Sequence, residues 1–158
     1  MKVDLLLCDA AQREEATGKI SMLGAGWNTT PALPGQSLAS HAVVVFVHVP
    51  WNDANRRHKL EFSLIDEDST DPVQVVDAAG DPKPITAEAE FEVGRPPGVK
   101  AGSNLLTTFA FTMTPGLPLM PNKGYAWVCK VNGEESARAE FYAVPPPLTQ
   151  LVQPNGLT

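Results

Sequence analysis

Apolar residues in this chain never keep a helical spacing for more than a turn or two. They come in short runs, several strictly alternating with polar residues, and prolines and glycines stand between the runs. The 158 residues hold 15 prolines and 12 glycines, spread along the chain and not gathered in one tract. That punctuation rules out long helices and cuts the chain into strand-length pieces joined by turns. Only Ala10 to Ala16 and Asn52 to Asn55 read as short helical turns, the second capped by Asn52 or Asp53.

The pieces differ in how they meet solvent. Val3 to Cys8 is a continuous apolar run and reads as a strand buried on both faces. Ala42 to Val49, AVVVFVHV, is β-branched and reads as a central strand. Half-exposed strands follow by alternation. Leu60, Phe62 and Leu64 face inward against Lys59, Glu61 and Ser63, and Ala89, Phe91 and Val93 face inward against Glu88, Glu90 and Glu92. Leu105, Phe109, Phe111 and Met113 share a face, and Val73 to Val76 forms a short strand between acidic turns. The glycines of Gly24-Ala25-Gly26-Trp27 point to a bulge or a close backbone approach beside a large ring.

The final hairpin allows a finer reading. Tyr125, Trp127, Cys129 and Val131 line one face of its first strand, and Ala137, Ala139, Phe141 and Ala143 one face of its second. A regular two-residue Asn132-Gly133 loop sets these on opposite sides of the sheet. A three-residue loop, Val131-Asn132-Gly133, sets them together with Lys130 opposite Glu134, and this is the expected register. About eight or nine strands, without alternating helices, then give an all-β, antiparallel β-sandwich of the jelly-roll or Ig/C2-like kind. The sandwich is expected over residues 1–144, with a Pro-rich extended arm over 145–158.

Charge narrows the partners. A net charge of −6 argues against a nucleic-acid backbone or an anionic membrane surface. MKVDLLLCDAAQ imitates a lipoprotein leader, but Asp4 interrupts an apolar stretch too short for one. Cys8 and Cys129 are expected as free buried thiols, with a disulfide between them as the alternative, and cytoplasmic synthesis fits the former.

Chemistry-bearing residues concentrate in HVPWNDANRRHKLEF, residues 48–62. His48 or His58 as base with Asp53 as orienting partner is the catalytic reading, but neither a nucleophile motif nor an oxyanion glycine run accompanies it. A strand end, a capped turn and the polar face of the next strand account for more of its residues, leaving Trp51, Arg56 and Arg57 as contact residues. Asp66, Asp68 and Asp71 in the acidic turn are the candidate calcium ligands; a solvated turn is the simpler reading. His41, His48 and His58 lack zinc spacing, and Gly24-Ala25-Gly26 lacks the rest of a dinucleotide fingerprint, so no cofactor is expected. Leu148, Leu151 and Val152 in the tail, with the proline-held loops LPLMP (117–121) and PALPG (31–35), are apolar candidates for protein contact.

Read together, MKVDLLLCDAAQ, GKISMLGAGW, VHVPWNDANRRH, AEFEVGRPPGV and GYAWVCKVNGE resemble an uncharacterised family of short actinobacterial and phage-associated β-sandwich proteins. The resemblance covers most of residues 1 to 144 and implies fold and lineage, without catalytic residues. The expected function is therefore a non-enzymatic structural or interaction protein with a protein partner or a second copy of itself. Its most specific form is a virion component such as a phage capsid decoration protein. The alternatives are a cytoplasmic accessory protein and a ligand-binding, calcium-dependent sandwich.

Overall fold

A computed structural model describes residues 1–32 and 38–145. The chain runs β1 (Lys2–Cys8), β2 (Ala10–Arg13), β3 (Ile20–Leu23), β4 (Thr29–Pro31) and β5 (His41–Val49), then a 3-10 turn (Trp51–Asp53). It continues through β6 (Arg57–Asp66), β7 (Gln74–Val76), β8 (Pro82–Pro84), β9 (Thr86–Glu92), β10 (Leu105–Met113), β11 (Lys123–Val131) and β12 (Glu134–Val144). Two sheets face each other: β1-β5-β10 and β4-β12-β11-β6-β9. Their eight strands form the expected β-sandwich. Pairing is antiparallel except where β4 joins β12 in parallel over three residues. The hairpins β2-β3 and β7-β8 lie outside the two sheets.

Alternation along each strand fills the space between the sheets. Val43, Val45, Val47 and Val49 come from one side and Leu60, Phe62, Leu64, Trp127, Cys129 and Phe141 from the other, all buried. Aromatic rings run through this core in a row. Trp127 stacks on Phe62 at 4.6 Å between ring centres, Phe62 on Phe111 at 5.4 Å, and Phe111 on Phe109 at 6.2 Å. Phe109 meets Phe91 edge-on, and Phe91 meets His58. At the other end Trp127 meets His41, which meets Trp27. The Phe62–Phe111 contact joins the two sheets, so each ring both buries area and fixes the sheets' mutual placement.

β5 is the centre of its sheet, as its composition predicts. Both faces are buried over its first half because β2-β3 folds onto the outer face, covering Cys8, Ala42 and Val44 with Ala11, Ile20 and Met22. Thr108 of β10 fastens the hairpin. Its hydroxyl donates to Gly18 O and accepts from Arg13 Nε, the latter at 3.3 Å. Ala10 to Arg13 is thus a strand and not a helical turn, since pairing with β3 satisfies its backbone.

Two further expectations change. β1 is an edge strand whose only ladder partner among the described residues is β5, although Leu7 O also accepts from Gly26 N at 2.9 Å. Leu6 is 38% exposed and Asp4 pairs with Lys2 and His48, so β1 is not buried on both faces. The last hairpin closes with the two-residue loop Asn132-Gly133, at φ 53° and 84°. Its register shifts between Cys129 and Lys130: Cys129 faces Ala137 while Lys130 faces Glu135. Ser136 is the extra residue of a β-bulge, and that bulge, not a longer loop, returns both apolar sets to one face.

Both cysteines are free and buried, and burial pushes the Cys129 thiol up to about 11. The loop 117–121 folds back over the core. Leu117 and Leu119 are buried, Met120 N donates to Tyr125 Oη at 2.8 Å, and Pro118 and Met120 stay outside.

Truncation of the central ring, Phe62→Ala, should cost about 3–5 kcal/mol in urea unfolding, because the space between two stacked rings cannot collapse. His41 adds a pH dependence. Trp127 Nε1 donates to its Nε2 at 3.2 Å, and its Nδ1 donates to Ala39 O at 3.4 Å, so the ring is neutral. Burial lowers its pKa below the ordinary 6.5. The unfolded chain therefore takes up a proton that the folded chain resists, and stability falls as pH drops below about 6.5. The melting midpoint should decline between pH 7 and 5, and less steeply in His41→Gln.

Candidate functional site: the Trp51 end and its flanking groove

One end of the sandwich gathers the chemistry-bearing loop. Trp51 follows Pro50 in the 3-10 turn, whose N-cap Pro50 offers no side-chain bond; Asn52 and Asp53 do not cap it. They lie inside the turn, where capping geometry is unattainable. Ala54 is buried, and Asn55 adopts a left-handed conformation (φ 59°) from which its N–H reaches Val93 O at 2.9 Å. That bond ties the turn to the loop after β9. Arg95 of the same loop donates to Trp51 O through Nε and Nη2, at 3.3 and 3.0 Å, and its guanidinium lies 5.1 Å from the Trp51 ring centre. Trp51, Asn55 and Arg95 thus lock two loops together.

His58 is buried at the end of the aromatic row and is committed to structure. Its Nε2 donates to Asp53 O at 2.9 Å, and its Nδ1 accepts from Asn132 Nδ2 at 3.1 Å. Asn132 Oδ1 in turn accepts from Lys59 N at 3.0 Å, while Asn132 N donates to Lys59 O at 2.9 Å. The Asp53 carboxylate points elsewhere, 3.8 Å from Arg56. The sequence-level pairing of His58 or His48 with the Asp53 carboxylate is therefore not formed. His48 instead meets Asp4 at 2.9 Å across the β1-β5 pair, and this bond holds the Asp4 carboxyl below its usual range. Arg56 and Arg57 are exposed, and Arg57 has no ion-pair partner among the described residues.

A groove of about 1050 Å³ opens beside this end, on the outer face of the three-stranded sheet. The β2-β3 hairpin covers only half of that face. The remainder is floored by Phe46 and Leu106 and walled by Thr17-Gly18-Lys19 on one side and Gly94 with Pro96 on the other. Leu106, opposite His48 in the β5-β10 ladder, is 55% exposed. Sequence reasoning missed this groove. Its only signal was the leucine at an outward position of LLTTFAFTM, beside a histidine interrupting the valines of the neighbouring strand.

The other candidates lie apart. Asp66, Asp68 and Asp71 sit at the opposite end of β6, where Lys123 Nζ contacts Asp66 Oδ2 at 2.6 Å and Asp68 N donates to Asp66 Oδ1. Lys123 holds the Asp66 carboxyl below its usual range. Among the described residues no three carboxylate, histidine or cysteine side chains converge as a metal site. A smaller recess of about 280 Å³ on the outer face of the five-stranded sheet is lined by Glu67, Arg138, Glu140 and Tyr142. Its charged groups already have partners: Glu67 Oε1 accepts from Gly124 N at 3.0 Å, and Arg138 holds Glu135, which lies outside the lining, through two bonds. Leu148, Leu151, Val152 and most of PALPG lie outside the described residues.

Asn132→Ala should cost about 2 kcal/mol in urea unfolding, since it leaves Lys59 N and the buried His58 Nδ1 unpaired and puts alanine at a positive φ.

A family model described as a family of unknown function (DUF6941) matches residues 4–144. Neither curated proteins nor solved structures show a match. The matched span starts within β1 and stops at the last residue of β12. The chain belongs to this family of unknown function, DUF6941.

Proposed function

We propose that this chain is a non-enzymatic interaction module that binds a partner protein through the groove over Phe46 and Leu106 and the Trp51–Arg95 rim beside it. The exposed Leu106 on a half-covered sheet face carries the reading. Leu106 stands beside Phe46 in one apolar floor, and a bound partner would remove that shared area from water. The rim supplies an aromatic ring and arginines, the residue types that anchor interfaces. Binding is favoured over catalysis because His41 and His58 are consumed by structural bonds.

The partner's most specific form is a phage or phage-like particle, on whose capsid this domain sits as a decoration protein. A small all-β sandwich supports that form, as does the resemblance to phage-associated and actinobacterial chains. A cytoplasmic accessory protein would use the same groove on a cellular partner. The calcium alternative draws less support, since Lys123 occupies Asp66.

The test uses the products of the neighbouring genes, co-expressed and analysed by size exclusion with light scattering. Wild type should co-elute with one of them, and Leu106→Glu should not while keeping its melting midpoint. If wild type stays monomeric with all of them, or Leu106→Glu co-elutes equally, the groove is not the binding site.

A further inference from the structure

The five-stranded sheet ends on β9, whose only ladder partner among the described residues is β6. Backbone direction along this edge follows from one bond. Leu64 N donates to Ile85 O at 3.1 Å, so Ile85 turns its carbonyl toward β6. The N–H and C=O of one residue share a side of a strand, and successive residues alternate sides. Ala87, Ala89 and Phe91 therefore spend their backbone groups on β6, while Thr86, Glu88, Glu90 and Glu92 direct theirs to the open edge.

The same residues carry the charge. Glu88, Glu90 and Glu92 are exposed on the sheet's outer face. Lys59 Nζ bridges Glu88 and Glu61, at 2.9 and 3.1 Å. Glu90 and Glu92 have no ion pair among the described residues, although Lys59 and Arg57 stand opposite them in register. On the inner side the edge shows the small, partly buried Ala87 and Ala89. No proline or bulge interrupts the seven residues.

We propose that β9 is a docking edge for an extended segment of a partner protein, added to the sheet as a further strand, with Lys or Arg at every second position and apolar residues between. The basic residues fall opposite Glu88, Glu90 and Glu92, and the apolar ones cover Ala87 and Ala89. Main-chain bonds supply attachment and the alternating side chains supply selectivity. A second copy of this chain is the wrong occupant, because β9 against β9 sets glutamate opposite glutamate, and like charges directly opposite are destabilising. The inference takes from the binding reading only that the partner is a protein; it uses neither Leu106 nor the groove.

Two synthetic peptides test it, one alternating Lys with Val and one alternating Glu with Val, each added to the ¹⁵N-labelled full chain. The Lys peptide should shift and protect from exchange the amides of Glu88, Glu90 and Glu92, and the Glu peptide should not. Glu90→Pro removes one outward N–H while sparing the β6 ladder, which a proline at an edge position tolerates. It should weaken the Lys peptide at least about tenfold with the fold's other amide shifts unchanged. Charge reversal, Glu88→Lys with Glu90→Lys, should exchange the preference and serves if the proline variant is poorly folded. Leu106→Glu should bind the Lys peptide like wild type, which separates this edge from the groove. No binding at millimolar Lys peptide, equal binding of both peptides, or protection centred elsewhere would each overturn the proposal.

Discussion

The contact between Phe62 and Phe111 organises this molecule. It is the point where the five-stranded and three-stranded sheets touch through stacked rings, and the rest of the aromatic row extends from it in both directions. The row holds a buried histidine toward each end, His58 at one and His41, between Trp127 and Trp27, at the other. Those histidines turn an apolar interior into a polar rim, because each ring packs against aromatic neighbours and gives its nitrogens to backbone or side-chain partners. The aromatic core and the two ends of the sandwich are therefore one construction. Trp127 settles the tautomer of His41, and Asn132 with Asp53 O settles that of His58.

This arrangement separates the surfaces on which function can act. The end at Trp51 is closed by mutual bonds between loops, so its residues are held and not free to move toward a substrate. The outer face of the three-stranded sheet is different. Thr108 clamps a hairpin over half of it and leaves the other half uncovered, with Leu106 outward. The β9 edge is different again, since its unpaired backbone groups and its carboxylates belong to the same residues. A binding role fits these features because both surfaces are preformed, and a partner would not have to order them on arrival.

Much of the fold was legible. Alternation in HKLEFSLID and EAEFEV placed the inward residues of β6 and β9, and the valine run of β5 announced the central strand of its sheet. The final hairpin shows where such reasoning stops. Its two apolar faces follow from alternation, and a regular two-residue loop without a bulge does not unite them. One unpaired residue, Ser136, does so inside the strand, where periodicity alone gives no signal for a bulge. The end loop behaved similarly. Trp51 and the arginines were visible as a cluster, but Arg95 lies 44 residues from Trp51, and only the pairing of β6 with β9 brings their loops together.

The residue order by itself determined an all-β sandwich and the inward face of most strands, because those depend on local periodicity, whereas the free state of the two cysteines, expected from the sequence beside a disulfide alternative, is a finding of the structure. Tertiary structure decided which apolar residues would remain uncovered and which polar ones would be consumed. Leu6 and Leu106 are as apolar as Leu7 and Leu105, yet the first pair faces outward beyond the reach of the β2-β3 hairpin while the second points into the core. His58 and Asp53 are five positions apart, yet the backbone carbonyl and not the carboxylate meets the ring. The first outcome follows from how strands distant in sequence are placed side by side, and the second from Asn132 and Val93, far along the chain, which fix the ring and the turn; no local pattern encodes either.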